Sequence, residues 1–218
     1  MKNVFIFFVL ILFTSNLYSQ IDFKDEPESF NDKYQGYYDY KKINKTFNKE
    51  FNLKNDYDFE MRLWIDPSPM QSRHLFLMKK TGDKWDAACY HLRYNSKKEI
   101  LINQDNLTKL WTDLMRNNVL TLPDQEILRE KMRVYTADTL AAQGIYYNLS
   151  NTPYENPFIL DGVFYRIELR TKDAKRAYTY HCPKGYIKEC PNVEELFHAY
   201  AIVYLIFRKI GWNPEDIC

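Results

Sequence analysis

The ten residues YDFEMRLWID, from Tyr57 to Asp66, alternate between apolar and mostly charged side chains. The apolar set consists of Tyr57, Phe59, Met61, Leu63 and Ile65. The other set consists of Asp58, Glu60, Arg62, Trp64 and Asp66. Because successive side chains of a β-strand point to opposite faces of its sheet, this pattern predicts a strand with one buried face. We therefore expect the folded domain to begin near Tyr57.

The strands that follow are predicted to form hairpins. The stretches HLFLMKK and KWDAACYHLRY flank the turn residues Thr81-Gly82-Asp83. Later in the chain, Asp161-Gly162 predicts a second tight turn, and an alternating strand follows from Val163 to Leu169. Residues Arg176 to Cys182 then return beside it. Strands joined by hairpins run antiparallel, so we expect a largely antiparallel sheet.

Two segments have helical periodicity. Apolar residues recur at the spacing of one helical face at Leu107, Leu110, Trp111, Leu114 and Met115. A last helix is predicted from about Val193 to Ile210, with Gly211 at the position of a C-terminal cap. Residues 133–157 predict a long surface loop. The order of strands, helix, strands and helix predicts an α+β fold, in which amphipathic helices pack on one face of the sheet.

Residues 1–19 have the pattern of a secretory signal peptide. Lys2 precedes an apolar run of ten residues, Val4 to Phe13, and the small residue Ser19 stands at the expected cleavage position. A membrane-spanning helix needs about 20 apolar residues, so this run is too short for an anchor and no later stretch is long enough. We expect an exported protein, periplasmic or secreted, with no membrane span after cleavage.

The mature chain is predicted to consist of an extension, residues 20–56, and a single domain, residues 57–218. Cleavage would remove one Lys and no acid, leaving 29 Lys and Arg against 29 Asp and Glu. This balance does not favour nucleic-acid binding, which depends on clustered positive charge. The extension carries a tyrosine cluster around Gly36. These rings either offer a surface to a glycan or a partner protein or, as we favour, pack onto the domain.

Four cysteines in an exported chain predict disulfide bonds. Four cysteines allow three pairings, and the sequence does not decide between them. We expect Cys182 to pair with Cys190 across a short turn, with Cys89 and Cys218 as the remaining pair, and the alternative for each is a free thiol. The rival is a metal site that would include His181 and Cys182. These two neighbours would point to opposite faces of a strand, and the chain has neither a C-x2-C nor an H-x3-H pair, so we expect no metal and no cofactor.

The polar faces of two predicted strands contain the candidate binding residues Trp64, Arg62, Arg166 and Glu168. If these strands are neighbours, acids, arginines and an indole share one surface, which could bind a sugar or a peptide. The favoured alternative is a solvated face with cross-strand ion pairs. Paired acids such as Glu60 and Glu168 could also serve a glycoside hydrolase, but nothing in their spacing separates an acid from a nucleophile. No catalytic residue is identified.

Three short stretches carry a resemblance. The helix around Trp111 followed by LPDQ at 122–125, the stretch DGVFYRIEL at 161–169, and YTYHCP at 178–183 resemble patterns in uncharacterised exported proteins of Bacteroidota. The resemblance covers residues 57–210. It implies an exported domain that is periplasmic or surface-associated, and it brings no activity and no site residues.

The sequence therefore favours a non-catalytic binding or interaction module of the cell envelope, whose partner is an unidentified protein or glycan. Enzymatic activity is not favoured, because no nucleophile, metal or phosphate-binding motif is present. Two alternatives stay open. One is a hydrolase of envelope or other polysaccharides that uses surface carboxylates, and the other is an inhibitor or immunity-type protein.

Overall fold

An antiparallel sheet is the centre of the fold. The computed structural model describes residues 45, 47, 49, 57–67, 72–93, 96–132, 159 and 162–218. Within these residues the strands are β1 Phe59–Pro67, β2 Arg73–Thr81, β3 Lys84–Arg93, β4 Ser96–Ile100, β5 Val163–Thr171 and β6 Lys175–His181. Their order across the sheet is β4-β3-β2-β1-β5-β6, with every neighbouring pair antiparallel. The first predicted strand, β1, thus lies inside the sheet.

Beside the helical residues 45, 47 and 49, the helices are α1 Leu107–Arg116, α2 Pro183–Glu189 and α3 Glu194–Ile210, with short 3-10 turns at Gln125–Glu130 and Pro214–Asp216. The two longest of these, α1 and α3, follow the sequence pattern. Gly211 ends α3 in the left-handed conformation, as expected from its position. The prediction of an α+β fold with a largely antiparallel sheet is confirmed. The short helix α2 was not predicted, because its seven residues, PKGYIKE, contain a Pro and a Gly.

Several predictions fall outside the described residues. These are the signal peptide at 1–19, almost all of the extension at 20–56, the loop at 133–157 and the Asp161 side of the second turn. The first hairpin turn is described and confirmed. Thr81 pairs with Lys84 across Gly82-Asp83, and Gly82 has a positive φ of 56°. Its N–H donates to Asp58 Oδ2 at 2.7 Å, which joins this turn to the residue before β1.

One face of the sheet forms the main hydrophobic core. Phe59, Met61, Leu63 and Ile65 of β1 point into it and are almost completely buried. The helices α1 and α3 cover this face with Leu110, Leu114, Ile202, Val203 and Ile206 among others. The four β1 residues belong to the apolar set of the YDFEMRLWID alternation, so the predicted burial is confirmed for them. The fifth member, Tyr57, is also buried but lies outside this core, with Lys79 Nζ 5.3 Å from its ring centre. Burying large aliphatic and aromatic side chains against each other is the main favourable contribution to folding here.

The opposite face of the sheet is buried as well. Trp64, Leu75, Leu77 and Tyr90 form a second apolar cluster with Phe47, which has helical conformation. The Phe47 ring meets Trp64 at 5.7 Å and Tyr90 at 5.6 Å in edge-to-face geometry. The expectation that covering groups lie on one face alone was therefore incomplete. Phe47 of the extension thus packs onto the domain, whereas the tyrosine cluster around Gly36 lies outside the described residues.

The free backbone edges of the two outer strands, β6 and β4, are protected in different ways. At β6, the Asp124 and Gln125 side chains accept hydrogen bonds from the backbone N–H groups of Thr179 and His181, at 2.9 and 2.7 Å. These side chains of the LPDQ stretch take the place of another strand. At the other end of the sheet, β4 is short and charged, which is a common way to keep an exposed edge from pairing with other chains.

The predicted disulfide pairing is wrong. Cys182 is bonded to Cys218, and Cys89 and Cys190 are buried free thiols. Cys182 and Cys190 lie at the two ends of α2. At 1.5 Å rise per residue this separates them by roughly 12 Å, whereas disulfides require Cα atoms within about 7 Å. Cys89 lies on β3 in the main core, between Phe76 and Ile100.

The observed disulfide ties the C-terminus to the end of β6. Its sulfur atoms lie beside the N–H of Val163, at 3.4 and 3.2 Å. The neighbouring Gly162 has no room for a side chain, because a Cβ there would lie 2.1 Å from the Cys182 sulfur. The bond joins residues that are 36 positions apart. Closing a loop of that length contributes about 4 kcal/mol in the chain-entropy model.

We predict that Cys218→Ser lowers the free energy of unfolding by about 3 to 4 kcal/mol, measured by urea denaturation. Reducing the wild-type protein should have the same effect, and reduction should not change the variant further. Thiol titration should find no fast-reacting thiol in the folded protein and two thiols after unfolding, since burial raises the pKa of Cys89 to about 12. A Cys190→Ala variant whose stability no longer responds to reductant would contradict this pairing.

Candidate functional site

The four candidate binding residues lie together on one face of the sheet. Strands β1 and β5 are neighbours, and their register places Arg62 opposite Glu168 and Trp64 opposite Arg166. The condition that the sequence left open, that these two strands be adjacent, is therefore met. Acids, arginines and an indole do share a surface.

That surface is buried, which neither interpretation of the sequence anticipated. The exposed fractions are 0% for Trp64, 1% for Arg62, 7% for Arg166 and 3% for Glu168. Phe47 contributes to the cover: its ring lies against Trp64, and the Arg62 guanidinium lies 5.4 Å from its centre. The predicted solvated face is therefore a packed layer. A ligand would meet these four side chains only if that layer opened.

Glu60 and Glu168 converge through a shared cation. The Arg170 guanidinium donates to Glu168 at 2.6 Å and lies 3.9 Å from Glu60. Glu60 also accepts from Arg62 Nε at 2.8 Å and has Lys79 Nζ at 3.6 Å, while Arg166 Nε donates to Glu168 at 3.1 Å. We call Glu60, Arg62, Arg166, Glu168, Arg170 and Lys79 the buried ion network. Each carboxylate in it is held by at least two cationic groups.

The electrostatics of this network follow from its burial. Burial lowers the pKa of the Arg62 guanidinium, and the charge of Arg170 lowers it further against the opposing effect of Glu60. Burial alone would also lower the pKa of Arg170, but the charges of Glu168 and Glu60 outweigh it and leave that pKa raised. A general acid needs a carboxyl group that gives up its proton near neutral pH. Carboxylates surrounded by arginines are suited to structural ion pairing instead.

A second polar cluster lies at the far side of the sheet, on the helix-covered face. His74 of β2 and His91 of β3 are directly opposite each other, and His91 Nδ1 lies 2.6 Å from His74 Nε2. The His74 ring also meets the edge of Trp212 at 4.5 Å. Arg93 Nε donates to His91 Nε2 at 3.1 Å. We call His74 and His91 the histidine pair.

The neighbouring arginine determines which nitrogens carry protons. A guanidinium is always a donor, so His91 Nε2 must be an acceptor and its proton must be on Nδ1. His91 Nδ1 therefore donates to His74 Nε2, and the proton of His74 is on Nδ1. This arrangement requires both rings to be neutral. An added proton on either accepting nitrogen would break one of the two hydrogen bonds.

The pKa values of the histidine pair agree with that arrangement. Burial lowers the pKa of His74 to about 4, with a further contribution from His91. Burial also lowers the pKa of His91, and the positive charges of Arg93 and Lys98 lower it further. Both rings are therefore neutral at physiological pH. Neither carries the extra proton that an imidazolium would donate as an acid catalyst.

An open cleft adjoins the histidine pair. It has a volume of about 710 Å³ and is lined by His91, Arg93, Ser96, Lys98, Glu99, Ile100 and Leu101. We call it the β3–β4 cleft. In the register of these strands His91 is opposite Lys98, and Arg93 is opposite Ser96. Two cationic side chains and a histidine thus line a cleft that also contains two aliphatic residues.

Among the described residues, no group of three or more His, Cys, Asp or Glu side chains could hold a metal ion. No helix within the described ranges is long and apolar enough to cross a membrane. Comparison with known proteins gave no match: no family model, no curated protein and no solved structure is significantly similar to this chain.

Sequence reasoning did not identify the histidine pair or the cleft, although one signal for the pair was present. With a two-residue turn at Gly82-Asp83, residues on β2 and β3 whose numbers add up to 165 are opposite each other, as Thr81 and Lys84 are. His74 and His91 satisfy this rule. The cleft gave no comparable signal.

We predict that stability decreases as the pH falls from about 6.5 to about 4. The unfolded His74 takes up a proton in this range while the folded one does not, so acid favours the unfolded state by about 2 kcal/mol. Urea denaturation at a series of pH values measures this loss, and His74→Gln should reduce it. An NMR titration midpoint for His74 near the ordinary histidine value would contradict the prediction.

We also predict that Arg170→Leu lowers the free energy of unfolding by about 3 to 5 kcal/mol, because it leaves two buried carboxylates without their shared cation. The matched control is Arg116→Leu on α1. Its ion pair with Asp113 at 3.0 Å has an exposed arginine, so its loss should cost less than about 1 kcal/mol. Equal effects of the two variants in urea denaturation would show that the network is not buried.

Proposed function

We propose that this protein is an exported, non-catalytic binding protein of the cell envelope, and that its ligand occupies the β3–β4 cleft. The observation that carries the proposal is the cleft itself. Its volume of about 710 Å³ lies within the range of small-molecule sites. It combines hydrogen-bonding side chains with aliphatic ones, which is the usual composition of a site that orients a ligand and excludes water from part of it.

The state of the acidic residues supports binding over hydrolysis. A glycosidase needs two carboxyl groups beside an accessible sugar site, one of them able to donate a proton. Glu60 and Glu168 are instead buried at 0% and 3% exposure and are held by arginines. No specific observation favours the inhibitor or immunity-type alternative. Hydrolysis by these two residues would require the buried face to open, whereas binding in the cleft requires no such rearrangement of the described residues.

Export is supported by two independent features. The first is the leader pattern of residues 1–19, with its single Lys and its apolar run. The second is the Cys182–Cys218 disulfide, since such bonds persist in oxidising compartments such as the periplasm and the cell exterior. Together they favour an envelope or extracellular location.

The proposal predicts that blocking the cleft removes the ligand. The purified mature protein would be incubated with a small-molecule extract of its own cell envelope, desalted and analysed by native mass spectrometry. Ser96→Trp would place an indole in the cleft, since Ser96 of β4 is one of its lining residues. We expect a bound mass in the wild type and its loss in Ser96→Trp.

The matched control is Lys97→Trp. Lys97 is the next residue of β4 and pairs with Leu92, so its side chain points to the opposite face of the sheet. This variant adds the same indole on the same strand and should keep the ligand. Retention of the bound mass by Ser96→Trp would contradict the cleft as the site. Turnover of any extract component that is lost in Glu168→Gln would contradict the non-catalytic assignment.

A further inference from the structure

We propose that the β3–β4 cleft selects amphiphilic anions, that is, ligands with an oxyanion head and an apolar body. This inference rests on the proposed function, because it assigns a ligand class to the same cleft. The head would be bound by Arg93, Lys98 and Ser96. The apolar body would lie against Ile100 and Leu101.

The strand side of the cleft carries two positive charges. Arg93 and Lys98 are both exposed, and both lie on the cleft side of their strands beside His91. The strand register places Arg93 opposite Ser96 and Lys98 opposite His91, so the four side chains form a compact square on adjacent strands. Cross-strand neighbours of this kind have Cβ atoms roughly 5 Å apart, a spacing that one oxyanion can bridge.

The acidic residue of the cleft does not cancel this charge. Glu99 alternates with Lys98 along β4 and pairs with Tyr90, whose ring belongs to the second apolar cluster on the other face. By the alternation of β4, the Glu99 side chain points to the face opposite that of Lys98, while the residue itself lines the cleft. On the helix-covered side, the charged groups that act on His91 are Arg93 and Lys98.

The histidine pair gives Arg93 a fixed orientation. His91 Nε2 accepts from Arg93 Nε, and His91 is in turn held by His74 and, through it, by the edge of Trp212. An arginine anchored through Nε keeps its two terminal nitrogens for a bidentate partner, and carboxylate, phosphate and sulfate have the matching geometry. Preorganising a long side chain in this way reduces the entropy lost on binding. His91 is therefore a positioning residue.

An exposed apolar surface lies beside these cations. Leu101 is 93% exposed, far more than the exposed large hydrophobic residues Met115, Ile127 and Phe197, at 38%, 51% and 43%. It adjoins the partly buried Ile100 at the end of β4. An isolated exposed leucine needs no explanation, but one inside a cationic cleft matches a ligand that has an apolar part next to its charge.

The experiment measures binding of four small probes to the full mature protein by isothermal calorimetry and NMR. Hexyl phosphate and hexanoate have both features and differ in the oxyanion. Inorganic phosphate lacks the apolar body, and hexanol lacks the charge. We expect the two amphiphilic anions to bind at least about tenfold more tightly than either incomplete probe. The comparison of hexyl phosphate with hexanoate distinguishes a phosphate-bearing from a carboxylate-bearing natural ligand.

Variants test which residues are responsible. Arg93→Gln and Lys98→Gln should each weaken hexyl phosphate binding by about fivefold, and Leu101→Ser should weaken it while leaving inorganic phosphate unaffected. His91→Phe should weaken anion binding although it removes no formal charge. Lys97→Gln is the matched control, because it removes the same charge from the opposite face of β4 and should have little effect.

The outcomes separate this inference from the function on which it rests. Equal losses in Lys97→Gln and Lys98→Gln would mean that net charge alone attracts the anion, which overturns the inference. Hexanol binding as tightly as hexyl phosphate in the cleft would also overturn it, while the cleft would still be a binding site. Failure of all four probes to bind, together with a bound envelope mass that Ser96→Trp removes, would overturn the anion assignment alone.

Discussion

The fold depends on the burial of both faces of β1. Half of this strand is apolar and packs under the helices, but the other half carries Glu60, Arg62 and Asp66, which are also removed from water. Charges in such a place are destabilising unless each one has partners. Arg62 pairs with Glu60 within β1, and the other partners come from the strands on either side, Arg170 on β5 and Lys79 and Arg73 on β2. The buried charges of β1 are therefore tolerated only if these two strands are its neighbours, so the strand order and the charge pairing depend on each other.

This constraint also restricts where function can be located. The buried ion network has the residue types that binding and hydrolysis would use, yet each of its carboxylates is already occupied by arginine or lysine. A surface that serves to hold strands together is not available to a ligand in this structure. The cleft at β3 and β4 has the opposite character. It lies away from the ion network, its cations are exposed, and Arg93 is oriented through His91.

The parts of the fold that were predictable are those that depend on neighbours in sequence. Alternation identified β1, the Gly82 turn identified the β2–β3 hairpin, and the 3.6-residue spacing identified α1 and α3. Pairings between distant segments were harder. The adjacency of β1 and β5 could be stated only as a condition, and the disulfide was assigned to the wrong partner. Cys182 and Cys190 were treated as ends of a turn, but a seven-residue helix holds them apart.

By itself, the sequence determined the α+β class, the antiparallel hairpins and the set of side chains that face the main core, because period-2 and period-3.6 patterns are local properties of the chain. Only the tertiary structure decided that the polar face of β1 is buried, that Cys218 returns to Cys182, and that the histidine pair borders an open cleft. Each of these depends on segments far apart in the chain. The burial of a polar face depends on what packs against it, and Phe47, ten residues before Tyr57, carries no periodic signal for where its ring will lie.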